Sequence, residues 1–340
     1  MPRRCAIVLT LWIVSGLMTG CGEGEPPLPP RPATKAKTAT TICLLAGQKG
    51  APYFTHAAEG ALEAMENTGG IELKYDGPKD ISPAKAATII EKWTQEGADL
   101  IAVSPDGSKA VADAMRSARE NGVRVIAWGA TSQADTSDFC VTPAGTQRIA
   151  SAIVETLIKD LGAAPNGEVA VITTTMEDSN RLALIEATKA RLQQAGLNVV
   201  DVKPCNDNSG LAGQAAKTLI DSHPKLRAII ALSPAALTGA GQTIRRIGKT
   251  SKICLTGLAG PGEVRTYIMD GTVKSAVFWN PKDLGYLTMK LAIALVKGKF
   301  NSGDKSLQAG RLGTRTVTDD ALLLGDILIF NKDNVNKFDF

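Results

Sequence analysis

The sequence predicts an α/β fold of two lobes, each a doubly wound parallel sheet covered by helices. Short apolar runs alternate with amphipathic segments along most of the chain, which is the pattern of βαβ units in parallel sheets. A chain of 340 residues is long enough for two domains that each bury a core. Because it has only 4 Trp, 4 Tyr and 7 Phe, those cores must consist mainly of Ala, Val, Ile and Leu.

The first lobe begins at residue 41. Its apolar runs predict strands at Thr41–Ala46, Ile71–Tyr75, Asp99–Val103, Val123–Trp128 and Phe139–Thr142. The amphipathic segments between them predict helices at Phe54–Asn67, Pro83–Glu96 and Lys109–Asn121. A glycine follows each of these helices within two residues, as the left-handed C′ position prefers.

The second lobe repeats the pattern after a long helix near Gly145–Leu161. Its strands are predicted at Glu168–Thr173, Val199–Lys203, Arg227–Leu232, Lys252–Thr256 and Val273–Phe278. Its helices are predicted at Asn180–Ala195, Leu211–Ser222, Ala236–Ile247 and Gly262–Met269. From Pro281 we expect another helix, then a glycine-rich stretch over residues 298–315 and a last strand at Ile327–Phe330.

The amino end is predicted to be a processing signal rather than part of the fold. A basic start precedes the apolar stretch Cys5–Met18, which is short for a membrane span and typical of a signal peptide. The following Thr19-Gly20-Cys21 resembles the end of a bacterial lipobox, in which the cysteine is diacylated and becomes the mature amino terminus. We therefore expect a lipoprotein signal peptide at residues 1–20 and lipidation of Cys21. An ordinary secretory signal with a chance cysteine is the alternative.

Residues 21–40 are predicted to be a tether that holds the folded body away from a membrane. Residues 25–32 read EPPLPPRP, and a stretch rich in Thr, Lys and Ala follows them. Pro-rich segments favour extended polyproline II at about 3.1 Å per residue, so this tether can reach roughly 60 Å.

Charge and motif content exclude several classes of protein. The formal net charge is only +4, and the sequence lacks the basic patch expected of a nucleic-acid-binding protein. Walker A, Gly-x-Ser-x-Gly and His-Glu-x-x-His motifs do not occur, so neither an enzyme nor a cofactor site is predicted. His56 and His223 are too few and too separated for a metal site, and no Cys-x-x-Cys occurs. The spacing of Cys140 and Cys205 leaves open whether they form a disulfide.

A ligand site is predicted where the two lobes face each other. In open parallel sheets, ligands bind beyond the carboxyl ends of the strands, and two such edges enclose a cleft. Trp128 has a competing interpretation as a core residue, and Asp178 has one as the N-cap of the next helix. The residues predicted to contact the ligand follow strand ends in both lobes: Tyr53, Phe54, Trp128, Thr131, Asp178, Ser179, Asn180, Ser233, Trp279 and Asn280.

Six short motifs follow one another along the body of the chain. They are APYF (51–54), YDGP (75–78), VSPDG (103–107), GVRVIAW (122–128), DGTV (270–273) and FNKDNVNKFDF (330–340). Each motif alone is weak. In this order they resemble the type I periplasmic sugar-binding proteins of ABC importers, nearest the branch that contains autoinducer-2- and rhamnose-binding proteins.

The resemblance implies the periplasmic-binding-protein type I fold, in which two Rossmann-like lobes close around a ligand about a three-segment hinge. The amino-terminal lobe is expected to comprise residues 41–142 and 279–312. The carboxyl-terminal lobe is expected to comprise residues 143–278 and 313–340. The chain is expected to cross between the lobes near residues 140–145, 274–279 and 310–325.

The same resemblance implies a function. The chain is expected to be the membrane-tethered substrate-binding component of an ABC importer, in the periplasm or another extracytoplasmic space. Its partners would be a sugar or similar small polar solute, an ABC permease and a bacterial membrane reached through the lipid anchor, without nucleic acid. An alternative with the same fold is a receptor that presents an autoinducer-2-like signal to a membrane sensor.

The predicted pocket differs from those relatives at charged positions. Ribose-type relatives carry Asn at the position of Ala51 and Asp-Arg after the strand that ends at Trp128, where this chain has Gly129-Ala130. Autoinducer-2 binders place Lys at the position of Gly47 and Asp at that of Gly129, so autoinducer-2 itself is disfavoured. Asp178 matches a hydrogen-bonding residue that the resemblance implies, whereas Ser179 stands where these relatives are expected to have Gln.

Overall fold

The computed structural model describes residues 39–66, 68–133, 135–162, 167–318 and 321–340. The predicted signal peptide, Cys21 and nearly all of the predicted tether lie outside these residues. Among the helices that are described, none is both long and apolar enough to cross a membrane.

Strands and helices alternate along the described chain, which confirms the predicted α/β class. The predicted elements are present, and their ends differ by the one or two residues by which such ends usually vary. The strands are β1 (Thr40–Leu45), β2 (Ile71–Asp76), β3 (Leu100–Val103), β4 (Arg124–Trp128), β5 (Phe139–Thr142), β6 (Gly167–Thr173), β7 (Leu197–Pro204), β8 (Leu226–Ala231), β9 (Cys254–Gly257), β10 (Ser275–Phe278), β11 (Ser306–Gln308), β12 (Thr314–Thr318), β13 (Ala321–Leu323) and β14 (Leu328–Asn331). The helices are α1 (Pro52–Met65), α2 (Pro83–Gln95), α3 (Lys109–Glu120), α4 (Thr146–Leu161), α5 (Ser179–Gln194), α6 (Ser209–Ser222), α7 (Pro234–Arg246), α8 (Pro261–Met269) and α9 (Pro281–Val296).

Within the described residues, the first sheet contains eight strands in the order β11-β12-β13-β5-β4-β3-β1-β2. Strands β1 to β5 and β13 pair in parallel, and β12 and β11 continue the sheet as antiparallel strands at one edge. Strands that lie between two layers of helices are buried on both faces, and β3 is buried at every residue. The apolar runs of the sequence are therefore the central strands.

Helices α1 and α9 pack closely on one face of this sheet. A Cβ atom on Gly60 would overlap the carbonyl oxygen of Lys282, so only glycine permits this approach. Near the amino ends of the two helices, Trp279 bonds Tyr53, and farther along both helices Lys290 bonds Ala64. The two helices therefore run in the same direction. Because the helices are parallel, both begin at the edge of the lobe where the candidate site lies.

The second sheet contains four parallel strands in the order β7-β6-β8-β9. Strand β10 joins β9 through a bridge between Leu258 and Val277, and β10 pairs with β14 in antiparallel orientation. The buried cluster around this sheet consists mostly of Ala, Val, Ile and Leu, in agreement with the composition.

The described chain passes between the two sheets at three places: residues 143–145, 279–280 and 324–327. The third passage lies at the end of its expected segment. Residues 314–318 and 321–323, which the expected boundary after residue 312 assigns to the second lobe, form β12 and β13 of the first sheet. These strands are short and partly polar and follow a glycine-rich stretch, so no long apolar run marks them in the sequence.

The cysteines whose pairing the sequence leaves open lie in different lobes. Cys140 is on β5 of the first sheet, and Cys205 follows β7 of the second. Both are free thiols in this structure. The two cysteines therefore do not link the lobes covalently.

Candidate functional site

The carboxyl ends of the parallel strands in both sheets meet at the junction between the lobes. Loops after β1, β3 and β4 come from the first lobe, and loops after β6, β8 and β9 come from the second. Across this junction the rings of Tyr53 and Phe278 are 5.9 Å apart, and Asn180 Nδ2 donates a hydrogen bond to the carbonyl oxygen of Thr131 at 2.9 Å. The edges at which ligands of such sheets bind therefore enclose a cleft, which is closed in this conformation.

Five aromatic side chains form one cluster at the junction: Tyr53, Phe54, Trp128, Phe278 and Trp279. The Tyr53 ring lies in the middle, with centroid distances of 5.1 Å to Phe54 and 6.4 Å to Trp128. Phe278 stacks on Trp279 at 4.4 Å. The structure thus brings together four residues that the sequence predicts to contact a ligand and Phe278, the last residue of β10.

The Tyr53 hydroxyl connects the two sides of this aromatic cluster. Trp279 Nε1 donates a hydrogen bond to Tyr53 Oη at 3.2 Å. Burial raises the pKa of Tyr53 to about 12, while this hydrogen bond and the charge of Arg181 act in the opposite direction. The phenol is therefore neutral at physiological pH. Because its oxygen already accepts a hydrogen bond from Trp279, its own proton remains available to an acceptor on a ligand.

Trp128 is fully buried in the core of the first lobe. Its Nε1 donates to the carbonyl oxygen of Leu45 at 3.1 Å, and Tyr53 and Phe54 cover its ring. In the closed conformation Trp128 is therefore a core residue, as its competing interpretation expects. A ligand reaches Trp128 only if Tyr53 and Phe54 move.

Asp178 and Asn180 bring the start of α5 against the first lobe. Asp178 Oδ1 accepts a hydrogen bond from the backbone nitrogen of Arg181 at 2.8 Å, which makes Asp178 the N-cap of α5. Its other carboxylate oxygen faces Gly107 of the first lobe. Asn180 bonds Thr131 twice, through its Nδ2 to the backbone and through its Oδ1 to the Thr131 hydroxyl.

The remaining predicted residues are Ser179, Ser233 and Asn280, and two of them cap helices. Ser179 is exposed at the first position of α5. Ser233 is buried, and its Oγ caps α7 by accepting a hydrogen bond from the backbone nitrogen of Ala236 at 3.1 Å. Asn280 caps α9 in the same way, since its Oδ1 accepts from the backbone nitrogen of Lys282 at 2.9 Å. The Ser233 hydroxyl proton and the Asn280 Nδ2 group remain as possible donors.

Two charged residues of the cleft are outside the predicted set. The half-buried Arg181 donates from its guanidinium to the carbonyl oxygen of Leu232, at the carboxyl end of β8, at 3.3 Å. Glu263 lies in the first turn of α8, where burial raises the pKa of its carboxyl group. Arg181 directly follows a predicted residue on the same helix, so its position in the sequence indicated that it lies near the site. Glu263 gave no comparable signal, because its placement depends on the approach of the two lobes.

A cavity of about 230 Å3 opens between the lobes beside the aromatic cluster. Pro52 and Tyr53 line it from the first lobe, and Glu263 and Phe278 line it from the second. Its volume is below the roughly 300–1,000 Å3 of typical small-molecule sites, so this cavity has room for a small ligand only. Elsewhere in the described residues, no group of three or more His, Cys, Asp or Glu side chains is placed to hold a metal ion.

Two α/β lobes, three connecting segments and a cleft lined from both sides define the class of two-lobed ligand receptors. Residues 42–300 match the family described as a periplasmic binding protein domain, and the chain belongs to this family. The ribose import binding protein of Bacillus subtilis is 24% identical over 303 residues, which cover 88% of this chain and 95% of that protein.

Solved structures share the fold. An ABC transporter solute-binding protein from Clostridium phytofermentas with bound L-rhamnose has a TM-score of 0.79 and 24% identity, and the match covers 89% of this chain and 98% of that one. LsrB from Clostridium saccharobutylicum in complex with AI-2 also has a TM-score of 0.79, with 22% identity over 88% of this chain and 100% of that one. The resemblance predicted from the motifs is confirmed at the level of family and fold. The family and these relatives are binding proteins, which confirms that the chain is not an enzyme.

Proposed function

We propose that this chain is the substrate-binding component of an ABC-type importer and that it captures a sugar or a similar small polar solute. The observation that carries the proposal is the cleft, in which side chains of both lobes meet at the carboxyl edges of two parallel sheets. Membership of the periplasmic binding protein family supports the proposal, as does the likeness to a ribose import binding protein. The family also implies a location outside the cytoplasm.

Capture proceeds by opening and closing of the lobes about their three connecting segments. In the closed conformation Tyr53 contacts both Phe54 and Phe278, so a ligand reaches the aromatic cluster only after the lobes separate. A ligand that touches both lobes binds the closed state more tightly than the open one. It therefore shifts the population toward the closed state, which is the form that a permease would recognise.

We assign two kinds of contact to the predicted residues. The rings of Tyr53, Phe54 and Trp279 cover the apolar face of a sugar ring, while Trp128 packs beneath Tyr53 and Phe54. Asp178 accepts hydrogen bonds from sugar hydroxyls through the carboxylate oxygen that does not cap α5. The other polar residues of the predicted set donate or accept the remaining hydrogen bonds: Thr131, Ser179, Asn180, Ser233 and Asn280.

Thermal unfolding of the purified protein with a panel of neutral monosaccharides tests this function. A ligand at 100 times its dissociation constant should add about 2.7 kcal/mol to the free energy of unfolding. Asn180→Ala should reduce that gain, because Asn180 joins the lobes at Thr131. Asn198→Ala, at an exposed position outside the cleft, is the matched control and should leave the gain unchanged. The sugar assignment fails if a broad panel of sugars gives no gain while another class of metabolite does.

We further propose that Cys21 is diacylated and anchors the protein to a membrane through the Pro-rich tether. The support is the sequence alone, in which an apolar signal stretch ends at Thr19-Gly20-Cys21. In cells fed a radiolabelled fatty acid, Cys21→Ala should abolish labelling and move the protein to the soluble fraction. Cys140→Ala, which leaves the signal intact, should be labelled normally. Equal labelling of both variants would contradict the anchor.

A further inference from the structure

The cavity between the lobes combines an apolar surface with a single charged side chain. Glu263, in the first turn of α8, is the one charged side chain in its lining, and Lys and Arg are not among the described residues that line it. The apolar lining comes from both lobes and from the segment that joins them: Pro52, Tyr53, Phe278, Pro281 and Phe340.

The Glu263 carboxylate forms no salt bridge with a cation among the residues that the structure describes. Burial raises its pKa, and the backbone N–H groups of Glu263 and Gly260 offset this only in part. His56 acts on it electrostatically from α1, but His56 Nδ1 bonds Glu59 at 3.2 Å. A partly buried carboxylate without a counter-ion is unfavourable, so this position would be stabilised by a cation supplied from outside the chain.

The aromatic lining favours the same kind of ligand group. The faces of Tyr and Phe rings attract cations, and ammonium groups are held in this way in aromatic cages. A carboxylate beside such rings adds a charge-assisted hydrogen bond, which is stronger than a bond between neutral groups. The lining therefore suits an ammonium group better than a hydroxyl group or an anion.

We propose that the ligand of this cleft carries an ammonium group, which lies between the Glu263 carboxylate and the rings of Tyr53, Phe278 and Phe340. This inference rests on the proposed function, and together they name the ligand class as an amino sugar. Because Glu263 belongs to the second lobe and Tyr53 to the first, an ammonium group bound by both stabilises the closed state.

Isothermal titration of the purified protein at pH 6.5 tests the inference. The titrants are D-glucosamine and D-galactosamine, the neutral D-glucose and D-galactose, and N-acetyl-D-glucosamine, in which the amine has become a neutral amide. Ethanolamine, an amine without a sugar ring, is titrated as well. We expect the amino sugars to bind about 10- to 100-fold more tightly than the neutral compounds, the range for a hydrogen bond to a charged group. Glu263→Gln should remove this preference. Glu91→Gln, which changes an exposed glutamate of α2 outside the cavity lining, should retain it.

The outcomes separate this inference from the proposed function. If neutral sugars bind as tightly as amino sugars, or if Glu263→Gln retains the preference, the ammonium assignment is overturned and the sugar-binding function stands. If ethanolamine binds in a Glu263-dependent manner and none of the sugars does, the ammonium assignment stands and the sugar assignment falls. If no amine binds, the ammonium assignment is overturned. Melting of each variant without ligand shows that it is folded.

Discussion

Tyr53 joins the two lobes through its ring, and its hydroxyl bonds the segment that connects them. The ring packs on Phe54 and Trp128 of the first lobe and reaches Phe278 of the second, while the hydroxyl accepts a hydrogen bond from Trp279. Since its pKa is raised to about 12, the phenol keeps its proton throughout the physiological range. Tyr53 therefore adds no pH dependence of its own to the opening and closing of the cleft.

Glu263 gives a prediction about stability and pH. Burial raises the pKa of this carboxyl group above its unfolded value of 4.5, so the folded state holds the proton more tightly. The stability that follows is present below pH 4.5 and is lost as the pH rises through the raised pKa. Glu263→Gln stays neutral and does not lose this stability. The melting temperature of the variant minus that of the wild type should therefore rise by about 1 to 3 °C between pH 4 and pH 7.

The matched control for this measurement is Glu91→Gln, which changes an exposed glutamate on α2. Its melting temperature should follow that of the wild type across the same pH range. Parallel curves for wild type and Glu263→Gln would show that burial does not raise the pKa of this carboxyl group.

Single residues of the site were predictable where local chemistry fixes them. Asp178, Ser233 and Asn280 precede helices, and each caps the helix that follows, as such residues commonly do. The sequence cannot show whether a polar atom that caps a helix also reaches a ligand. The place of Glu263 in the cavity lining was not predictable, because it depends on the approach of Tyr53 and Phe278, which are distant in the chain.

At the scale of elements, the loop after β3 and the start of α5 determine how closely the lobes approach. Gly107 in that loop has φ +78°, a left-handed conformation that favours glycine. A Cβ atom at this position would overlap Oδ2 of Asp178 in the other lobe. Glycine at position 107 therefore permits both the turn and the contact between the lobes.

Gly107→Ala should weaken ligand binding without unfolding either lobe. The added methyl group displaces Asp178 and lowers the population of the closed state, and the apparent affinity falls with that population. Because Asp178 can move its carboxylate, we expect only about a three- to tenfold loss of affinity in titrations with the best ligand. Gly122→Ala is the matched control, since Gly122 has φ +77° and nothing within 4 Å of a Cβ atom. An equal loss in both variants would assign the effect to backbone strain rather than to the lobe contact.

The elements themselves were predictable from the apolar pattern, with one exception. Central strands such as β3 and β8 are buried on both faces, so they appear as continuous apolar runs. Strands β11 to β13 lie at one edge of the first sheet and contain only three to five residues each. Strands β11 and β12 also carry polar side chains. Their pairing depends on the exposed edge of β5 rather than on a local signal. The expected lobe boundary after residue 312 consequently differs from the sheet topology.

At the scale of the whole molecule, the two sheets are joined by three short segments and by few side-chain bonds across the cleft. The two bonds between Asn180 and Thr131 are the polar side-chain contacts there that the structure records. Each hydrogen bond of this kind contributes about 1 kcal/mol, which is small compared with the stability of either lobe. The lobes can therefore separate as units while each keeps its own core.

Small-angle X-ray scattering of the purified protein tests the central claim, that a sugar-type ligand binds in this cleft and closes it. The measurement compares the protein without ligand and with a saturating concentration of the sugar or amino sugar that gives the largest gain in melting temperature. We expect the radius of gyration to fall on saturation and to match the closed structure. An unchanged radius of gyration, with binding of that sugar established by titration, would contradict the account.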